Sequence, residues 1–297
     1  MDNRDAVGAF LRSRRDRITP DRAGLPVYGR RRVPGLRRGE VATLAGVSVE
    51  YYTRLERGNL QGVSDSVLDA LARALRLDAT ERMYLYDLAR AAGPAPGARA
   101  RQRRTSATVR PSVARIVTGM PGMPAFVMNN RLDTLASNAL GRVLYTEMFA
   151  DAACGGNVAR FTFLTSAARR FYVDWERMAR FTVGALRVEA GRNPYDRELS
   201  QLIGELSARS DEFRVLWGSQ DVHVLRDSTK RVNHPLVGDL ELDQETMSLP
   251  DDSGLNVLVC SAAPGTPAEE GLRLLAGRPA TAGEDGDTAP AEESRRL

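Results

Sequence analysis

The chain has 297 residues, which is long enough for two domains of ordinary size. Its hydrophobic fraction of 42% and charged fraction of 27% are those of a soluble globular protein. No apolar run reaches the roughly 18 residues of a membrane-spanning helix, and the charged first residues lack an apolar leader, so we expect a cytoplasmic protein that does not enter a membrane. The two cysteines, Cys154 and Cys260, are too few and too far apart for a disulfide scaffold or a zinc site and are expected to be buried thiols.

Charge is divided unevenly along the chain. Residues 1–110 contain 22 arginines and 12 acidic residues, a net charge of +10, whereas residues 111–297 contain 20 basic and 26 acidic residues, a net charge of −6. A coding bias explains the choice of arginine, since Lys230 is the only lysine, but it does not explain the separation of sign. The separation favours the binding of an anionic polymer by the N-terminal part alone.

Apolar residues recur at helical spacing throughout residues 1–92. One helix is predicted in "DAVGAFLRSRRDRI" (5–18), and another in "SDSVLDALARALRL" (64–77), with Ser64 or Asp65 as its N-cap. The stretch "DATERMYLYDLARAA" (78–92) begins with the Asp-x-x-Glu spacing of a capping box. With two further helices at 37–58, the sequence predicts an all-α domain of five helices.

The stretch "GEVATLAGVSVEYYTRLERG" (39–58) predicts two short helices joined by a tight turn. Gly46 suits the left-handed end of the first helix, and Ser48 suits the N-cap of the second. The inward residues are expected to be Val41, Leu44 and Ala45, with the small Ala42 at the helix crossing, then Val47, Tyr52 and Leu55. Such a pair is typical of a helix-turn-helix, whose second helix enters the major groove of DNA.

The segment "LRRGEVATLAGVSVEYYTRLERG" with "SDSVLDALARALRL" resembles the Cro/repressor-type (XRE) helix-turn-helix over about residues 36–77. The resemblance implies base contacts at the start of the second helix, base or backbone contacts one turn on, and phosphate contacts around it. Those three groups are Val49, Glu50 and Tyr51; Thr53 and Arg54; and Arg37, Arg38, Arg57 and Asn59. Tyr52 would replace Tyr51 as the outward aromatic if the helix were rotated. The arginines of "GRRRVPGLRR" (29–38) either contact phosphates or form a solvated face.

A Pro-, Gly-, Ala- and Arg-rich linker is predicted at 93–110, and a domain of different periodicity at 111–276. Its first strands form a hairpin in "PAFVMNNRLDTLASN" (124–138), and helical patterns occupy 138–148, 158–191 and 194–217. Strands return in 221–249 and 255–263, where Val222 alternates with Val224, and "TPAEEGLRLLAG" (266–277) is a final helix. This order predicts an α+β domain, an antiparallel sheet with helices on one face, followed by a disordered tail at 277–297.

Several stretches of the second domain together resemble the MmyB-like transcription regulators. They are "RLDTLASNALGRVLY" (131–145), the run from Phe171 to Val222, "TKRVNHPLVGDLEL" (229–242) and "APGTP" (263–267). The resemblance implies a PAS-like ligand-binding fold behind the helix-turn-helix, which in some family members holds a fatty acid. A homodimer on operator DNA is also expected, because one recognition helix buries too little surface for strong specific binding and repressors of the XRE type read paired half-sites.

A pocket for a fatty acid or another apolar metabolite would lie between sheet and helices, where most large apolar residues are ordinary core. The candidates for its lining are Phe126, Met128, Leu140, Leu144, Phe163, Phe171, Trp175, Met178, Phe181, Trp217, Val222, Val257 and Val259. A carboxylate head group would need a donor, and the candidates are Asn138, Arg231 and His234. Ser137, Gln244 and Cys260 stand where the family has aromatics, which enlarges or rewires the pocket.

Catalysis is not expected. The two histidines, His223 and His234, belong to no recognisable constellation, and "GMPGMP" (119–124) lacks the spacing of a phosphate-binding loop. Asp174 and Glu176 point to different sides of a helix. Apart from a possible small-molecule ligand we therefore expect no cofactor or metal, and the alternative to a sensor is a ligand-free module for dimerisation or for recruiting RNA polymerase.

Overall fold

The computed structural model describes residues 3–26, 33–93, 108–221, 229–249 and 254–277. Within these ranges an all-helical N-terminal part precedes a part built on a five-stranded antiparallel sheet, as the fold class predicted. None of the helices in these ranges is long and apolar enough to cross a membrane. Most of the predicted linker, the strand alternation at Val222 and the predicted tail lie outside the described residues.

The described residues of the N-terminal part form the five predicted helices, and their apolar faces share one core. The predicted capping box is present, because Asp78 accepts the Glu81 N–H at 2.9 Å while the Glu81 carboxylate accepts the Asp78 N–H at 3.1 Å. Of the two candidate caps at 64–65, Ser64 holds the N-cap position. The helices are α1 (Asn3–Asp16), α2 (Arg38–Ala45), α3 (Val49–Glu56), α4 (Asp65–Ala74) and α5 (Ala79–Ala92).

The sheet has the strand order β2-β1-β5-β4-β3, and every neighbouring pair is antiparallel. The predicted hairpin at 124–138 is confirmed as β1 paired with β2, with an irregularity between Val127 and Met128. The strands are β1 (Ala125–Asn129), β2 (Thr134–Ser137), β3 (Thr229–His234), β4 (Gly238–Ser248) and β5 (Leu255–Ser261).

The two long helical patterns at 158–191 and 194–217 are each divided in the structure. Thr165, Asp174 and Ser210 interrupt them, because their side chains accept the backbone N–H three residues on and so cap new helices. The helices of this part are α6 (Pro111–Thr118), α7 (Ala139–Leu144), α8 (Thr146–Ala150), α9 (Val158–Leu164), α10 (Ser166–Phe171), α11 (Trp175–Arg192), α12 (Arg197–Arg209), α13 (Asp211–Gly218) and α14 (Pro267–Ala276).

Helices α7 to α10 and α14 cover the face of the sheet to which Phe126 and Met128 point, and this packing forms the main core of the domain. The short α6 covers the other face, where Val113 and Val117 pack on Val127 and its β5 neighbours. The predicted one-sided cover therefore holds for most of the helices, and β1 is buried on both faces because α6 adds a second layer.

The two parts are packed against each other along α5 and α11. The helices approach closely at Gly191, where a Cβ would lie 2.4 Å from the Tyr84 ring. Arg192 Nε pairs with Asp87 Oδ2 at 2.9 Å across this seam, and Arg14 Nη2 of α1 donates to the carbonyl of Gln220 at 2.6 Å. The helices of the N-terminal part are thus held in a fixed position on the C-terminal part.

Candidate DNA interface and ligand site

The turn between α2 and α3 has the geometry that its sequence predicted. Gly46 has φ 67° and ψ 32°, the left-handed conformation that costs glycine least. Ser48 Oγ accepts the Tyr51 N–H at 3.1 Å and caps α3. This turn fixes the angle at which α3 leaves α2 and so which side of α3 faces outward.

The inward residues of the helix pair are largely those predicted, and Tyr52 is completely buried, so Tyr51 is the outward aromatic. The prediction for Leu44 was wrong, since its side chain is 37% exposed. Val41, Ala42 and Ala45 make the buried stripe of α2, and Leu44 lies roughly 100° around the helix from the centre of that stripe. Tyr51 is half-buried and stacks under the Arg54 guanidinium, 4.8 Å from the ring centroid.

The outward face of α3 and the turn after it line a surface groove of about 480 Å³. Six of the nine predicted DNA contacts meet there, with an apolar side chain and a carboxylate near the start of α3 and guanidinium and amide groups near its end. Such a surface can offer apolar contact and an acceptor to bases and donors to phosphates. The residues that line the groove are Val49, Glu50, Thr53, Arg54, Arg57 and Asn59.

Of the three predicted contacts outside the groove, Tyr51 lies on α3 beside Arg54 and the other two lie at the start of α2. There Arg37 is exposed, and its backbone N–H donates to Glu40 Oε2 at 2.6 Å. The Arg38 side chain is 50% exposed and is directed to α3, where Nε donates to Glu56 Oε2 at 2.8 Å. Arg38 therefore holds the end of the outward helix in addition to presenting charge beside it.

Glu56 is a buried carboxylate that sequence reasoning missed. Arg15 of α1 reaches it with Nη2 at 2.9 Å from Oε1 and uses Nη1 to donate to the Leu36 carbonyl at 2.8 Å. Burial by itself would lower the pKa of Arg15, but the hydrogen bond and the charge of Glu56 outweigh it and raise that pKa. The pair joins α1 to the C-terminal end of α3.

The predicted ligand-pocket residues do not form one pocket in the structure. Eight of them belong to the core between sheet and helices, namely Phe126, Met128, Leu140, Leu144, Phe171, Met178, Trp175 and Phe181. Phe163 and Trp217 pack instead with α11 to α13, a cluster that Trp175 also touches, and Val257 and Val259 face α6 on the other side of the sheet. Strand alternation explains the two valines, because neighbouring residues of β5 point to opposite faces. Val222 lies outside the described residues.

The three candidate donors for a carboxylate head group differ in their burial and in their hydrogen-bond partners. The Asn138 side chain caps α7 and donates to the carbonyls of Met120 and Met123 at 2.8 and 2.7 Å, so it is occupied by the fold. His234 is buried, with Nε2 3.1 Å from the Val143 carbonyl oxygen. Arg231 is exposed on the outer face of β3 and points away from the core, which makes it the least suitable of the three.

Lys230 is the polar residue inside this core that sequence reasoning missed. It is only 4% exposed, and its Nζ donates to Tyr145 Oη at 2.7 Å and to Gln244 Oε1 at 2.9 Å. Cys260 lies on the strand position paired with Gln244, and burial raises the pKa of its thiol although the Lys230 charge opposes that rise. Gln244 and Cys260, two of the three residues that depart from the family pattern, thus lie beside the buried ammonium group of Lys230.

Aromatic rings pack around the Lys230 ammonium group, and we call the space enclosed by Lys230, Tyr145, Phe161, Phe171 and Tyr172 the chamber. Tyr145 stacks edge-on against Phe126 and Phe161 with centroids 5.6 and 6.2 Å apart, and its hydroxyl lies 3.5 Å from that of Tyr172. Burial raises the pKa of both tyrosines, so both stay neutral. The hollow between Tyr145, Phe161, Phe171 and His234 has a volume of only about 10 Å³, so these rings are closely packed in this conformation.

Two family models match the chain. Residues 109–275 match the MmyB-like transcription regulator ligand binding domain, and residues 6–85 match a helix-turn-helix domain. A search of curated proteins found no match. The first match spans more than half of the chain, and both families are of the regulator type. Together with the exposed groove on α3, they show that this chain is a DNA-binding transcription regulator with a ligand-binding domain, a member of the MmyB-like family.

Proposed function

We propose that the chain regulates transcription as a homodimer on paired DNA half-sites, and that its C-terminal domain senses a small apolar molecule with an acid head group, such as a fatty acid. The single observation that carries the sensing proposal is Lys230, a buried ammonium group among aromatic rings. The dimer follows from the size of α3, because one short helix buries too little surface for strong specific binding and two helices one turn of DNA apart add their contacts.

The charge of Lys230 is the reason to expect an anion. Among the described residues, no carboxylate lies within ion-pair distance of its Nζ, and its hydrogen-bond partners are neutral. A buried charge costs several kcal/mol unless an opposite charge compensates it, roughly the cost of leaving half of an ion pair in the interior. A carboxylate head group would supply that opposite charge, and the surrounding rings would bury its apolar tail.

Ligand binding at Lys230 would require the closely packed rings around it to open. Because the hollow between Tyr145, Phe161 and Phe171 holds no more than about one water molecule, an apolar ligand would enter between these rings only when α9 and α10 move away from the sheet. The same closed packing favours a second candidate, in which the domain is a dimerisation or polymerase-contact module that binds no ligand. Ligand retention distinguishes the two.

Replacing Lys230 by Met is expected to abolish retention of an acidic lipid by the purified protein. Native mass spectrometry of the full chain, followed by mass analysis of an organic extract, would show an extra mass in the wild type and none in the variant. The matched control is Arg231→Gln on the same strand, which removes an exposed charge on the opposite face and should retain the extra mass. A clean apo mass for the wild type, also after incubation with decanoate, would support the packed module.

Glu50 and Arg57 are expected to act differently on DNA. Glu50→Ala should relax base preference at one or two positions, because a lost base contact costs about 1–3 kcal/mol of discrimination, while binding to random DNA changes little. Arg57→Ala should weaken binding to all sequences and reduce the slope of log K against log salt by about one for each protomer. Selection from a randomised duplex library, followed by titrations at several salt concentrations, measures both. Equal losses on selected and random DNA for both variants would refute the assignment.

A further inference from the structure

A second cavity lies at the seam between the two parts of the molecule, well separated from the chamber around Lys230. It has a volume of about 90 Å³, several times what one water molecule needs. Helices α1 and α5 form one wall with Asn3, Ala6 and Tyr84, and helices α11, α12 and α13 form the other. The cavity is therefore lined by the DNA-binding part on one side and the ligand-binding domain on the other.

Arg187 of α11 lines this cavity and is completely buried. Its Nη1 donates to Gln220 Oε1 at 2.6 Å, its Nη2 donates to the Trp217 carbonyl, and its guanidinium lies over the Trp217 ring. These partners are all neutral, and the Nε donor has no hydrogen-bond partner among the described residues. A full positive charge with an unused donor is thus buried in the wall of the cavity, where its Nε is covered in this conformation.

A second buried arginine at the seam, Arg14, has carboxylate partners of its own. Arg14 of α1 pairs with Glu81 at 2.9 Å and approaches Asp221 at 3.8 Å, so these two carboxylates neutralise Arg14 rather than Arg187. Burial lowers the pKa of Arg187 to about 10, against the smaller opposing effect of Tyr84, and lowers that of Arg14 to about 10 against the effect of Glu81. Both groups therefore remain charged at neutral pH, and among the described residues Arg187 has no ion-pair partner.

Asn3 adds an acceptor to the same cavity. Its Nδ2 donates to the Leu88 carbonyl at 3.3 Å, which leaves Oδ1 buried without a partner. A ligand that satisfies both walls carries an anionic oxygen for Arg187 and a hydroxyl that donates to Asn3. We propose that the seam cavity binds a small hydroxycarboxylate, with the carboxylate on Arg187 and the hydroxyl on Asn3.

Such a ligand would act on the DNA-binding face through α1. Asn3 and Ala6 face the cavity, while Arg15 of the same helix holds Glu56 at the end of α3. A molecule bound between α1 and α11 would stabilise the position of α1 on the C-terminal part. Because α1 holds the end of α3 through Arg15, the orientation of α3 would be stabilised as well. This site does not depend on ligand binding at Lys230, and the two can be tested separately.

The test is a calorimetric titration of the full chain with glycolate, lactate and 3-hydroxybutyrate, with lactamide as the neutral counterpart of lactate. We expect at least one of the acids to bind with one-to-one stoichiometry and lactamide to bind at least about tenfold more weakly, since a charged hydrogen bond is lost. No heat from any of the three acids, or equal binding of lactate and lactamide, would overturn the proposal.

Two variants test whether the acid binds in the seam cavity. Arg187→Gln removes the charge and should weaken the best acid at least about tenfold. Ala190→Met fills the cavity and should abolish binding while it keeps Arg187, which covers the case in which loss of the arginine unfolds the seam. Ala185→Met, on the same helix but outside the cavity, and Lys230→Met should both bind as the wild type does. Unchanged binding by Ala190→Met, or loss of binding by Lys230→Met, would contradict the assignment to the seam.

Discussion

Glu56→Ala is expected to lower the free energy of unfolding of the N-terminal part by about 3 kcal/mol, because it removes the buried carboxylate of Arg15 and leaves that guanidinium with the more exposed Asp16 at 2.9 Å. Arg15 is 8% exposed at its side chain, and its partner Glu56 is 1% exposed. The additional pair with Arg38 adds little to this figure, since that side chain is half in solvent. The loss therefore comes from the buried contact between Arg15 and Glu56, which Asp16 replaces only in part, rather than from a surface ion pair.

Urea titration followed by circular dichroism, together with hydrogen exchange of the α3 amides, measures the loss locally and globally. Glu50→Ala is the matched control, because it removes the same side chain from an exposed position of the same helix and should change stability by less than about 0.5 kcal/mol. The double variant Arg15→Met/Glu56→Leu should recover most of the loss, as apolar replacements of buried ion pairs do. A Glu56→Ala protein as stable as the control would show that Asp16 or water fully compensates the charge of Arg15.

The helix-turn-helix could be predicted because its determinants are local. Gly46 and Ser48 specify the turn within three residues, and the capping box of α5 is specified within four. The apolar spacing of α3 then settles its outward face, and the groove residues follow from that face. A short stretch of sequence contains all of this information.

The polar interior could not be predicted in the same way, since its partners are distant in sequence. Arg15 and Glu56 are 41 positions apart, and Lys230 and Tyr145 are 85 apart. One signal pointed to Lys230: it alternates with Val232 and His234, which predicts a shared face of the strand, and all three are buried. The alternation shows on which face Lys230 lies, but only the fold shows that neutral groups meet it there.

The breaks in the long helical patterns were missed for a different reason. Apolar residues continue at helical spacing on both sides of Thr165, Asp174 and Ser210, so periodicity alone joins the helices. Each break is made by a side chain that caps the next helix, a choice settled by tertiary packing. Helices α9 and α10 pack over the sheet, whereas Phe163 and Trp217 pack with α11 to α13 in a separate cluster.

Phe161→Ala is expected to cost about 3–5 kcal/mol of stability in the C-terminal part and to open the closed chamber. The Phe161 ring is 1% exposed and lies 5.9 Å from the Phe171 ring, 6.0 Å from that of Tyr172 and 6.2 Å from that of Tyr145. Its removal leaves an apolar cavity beside these rings, and such cavities bind apolar molecules. If the domain is built to accept an acid-headed ligand, added decanoate should restore part of the lost stability, by about 2.7 kcal/mol at a hundredfold excess over its Kd.

The rescue should depend on Lys230 and on the position of the cavity. In Phe161→Ala/Lys230→Met the head group loses its charge partner, so decanoate should restore much less of the thermal stability. Phe213→Ala supplies the matched control, since Phe213 is equally buried but packs with Phe163 and Trp217 in the other cluster. It should lose a similar amount of stability without rescue. Equal rescue of both variants would mean that decanoate acts as a general apolar filler, whereas no rescue of Phe161→Ala would assign the domain to the packed interaction module.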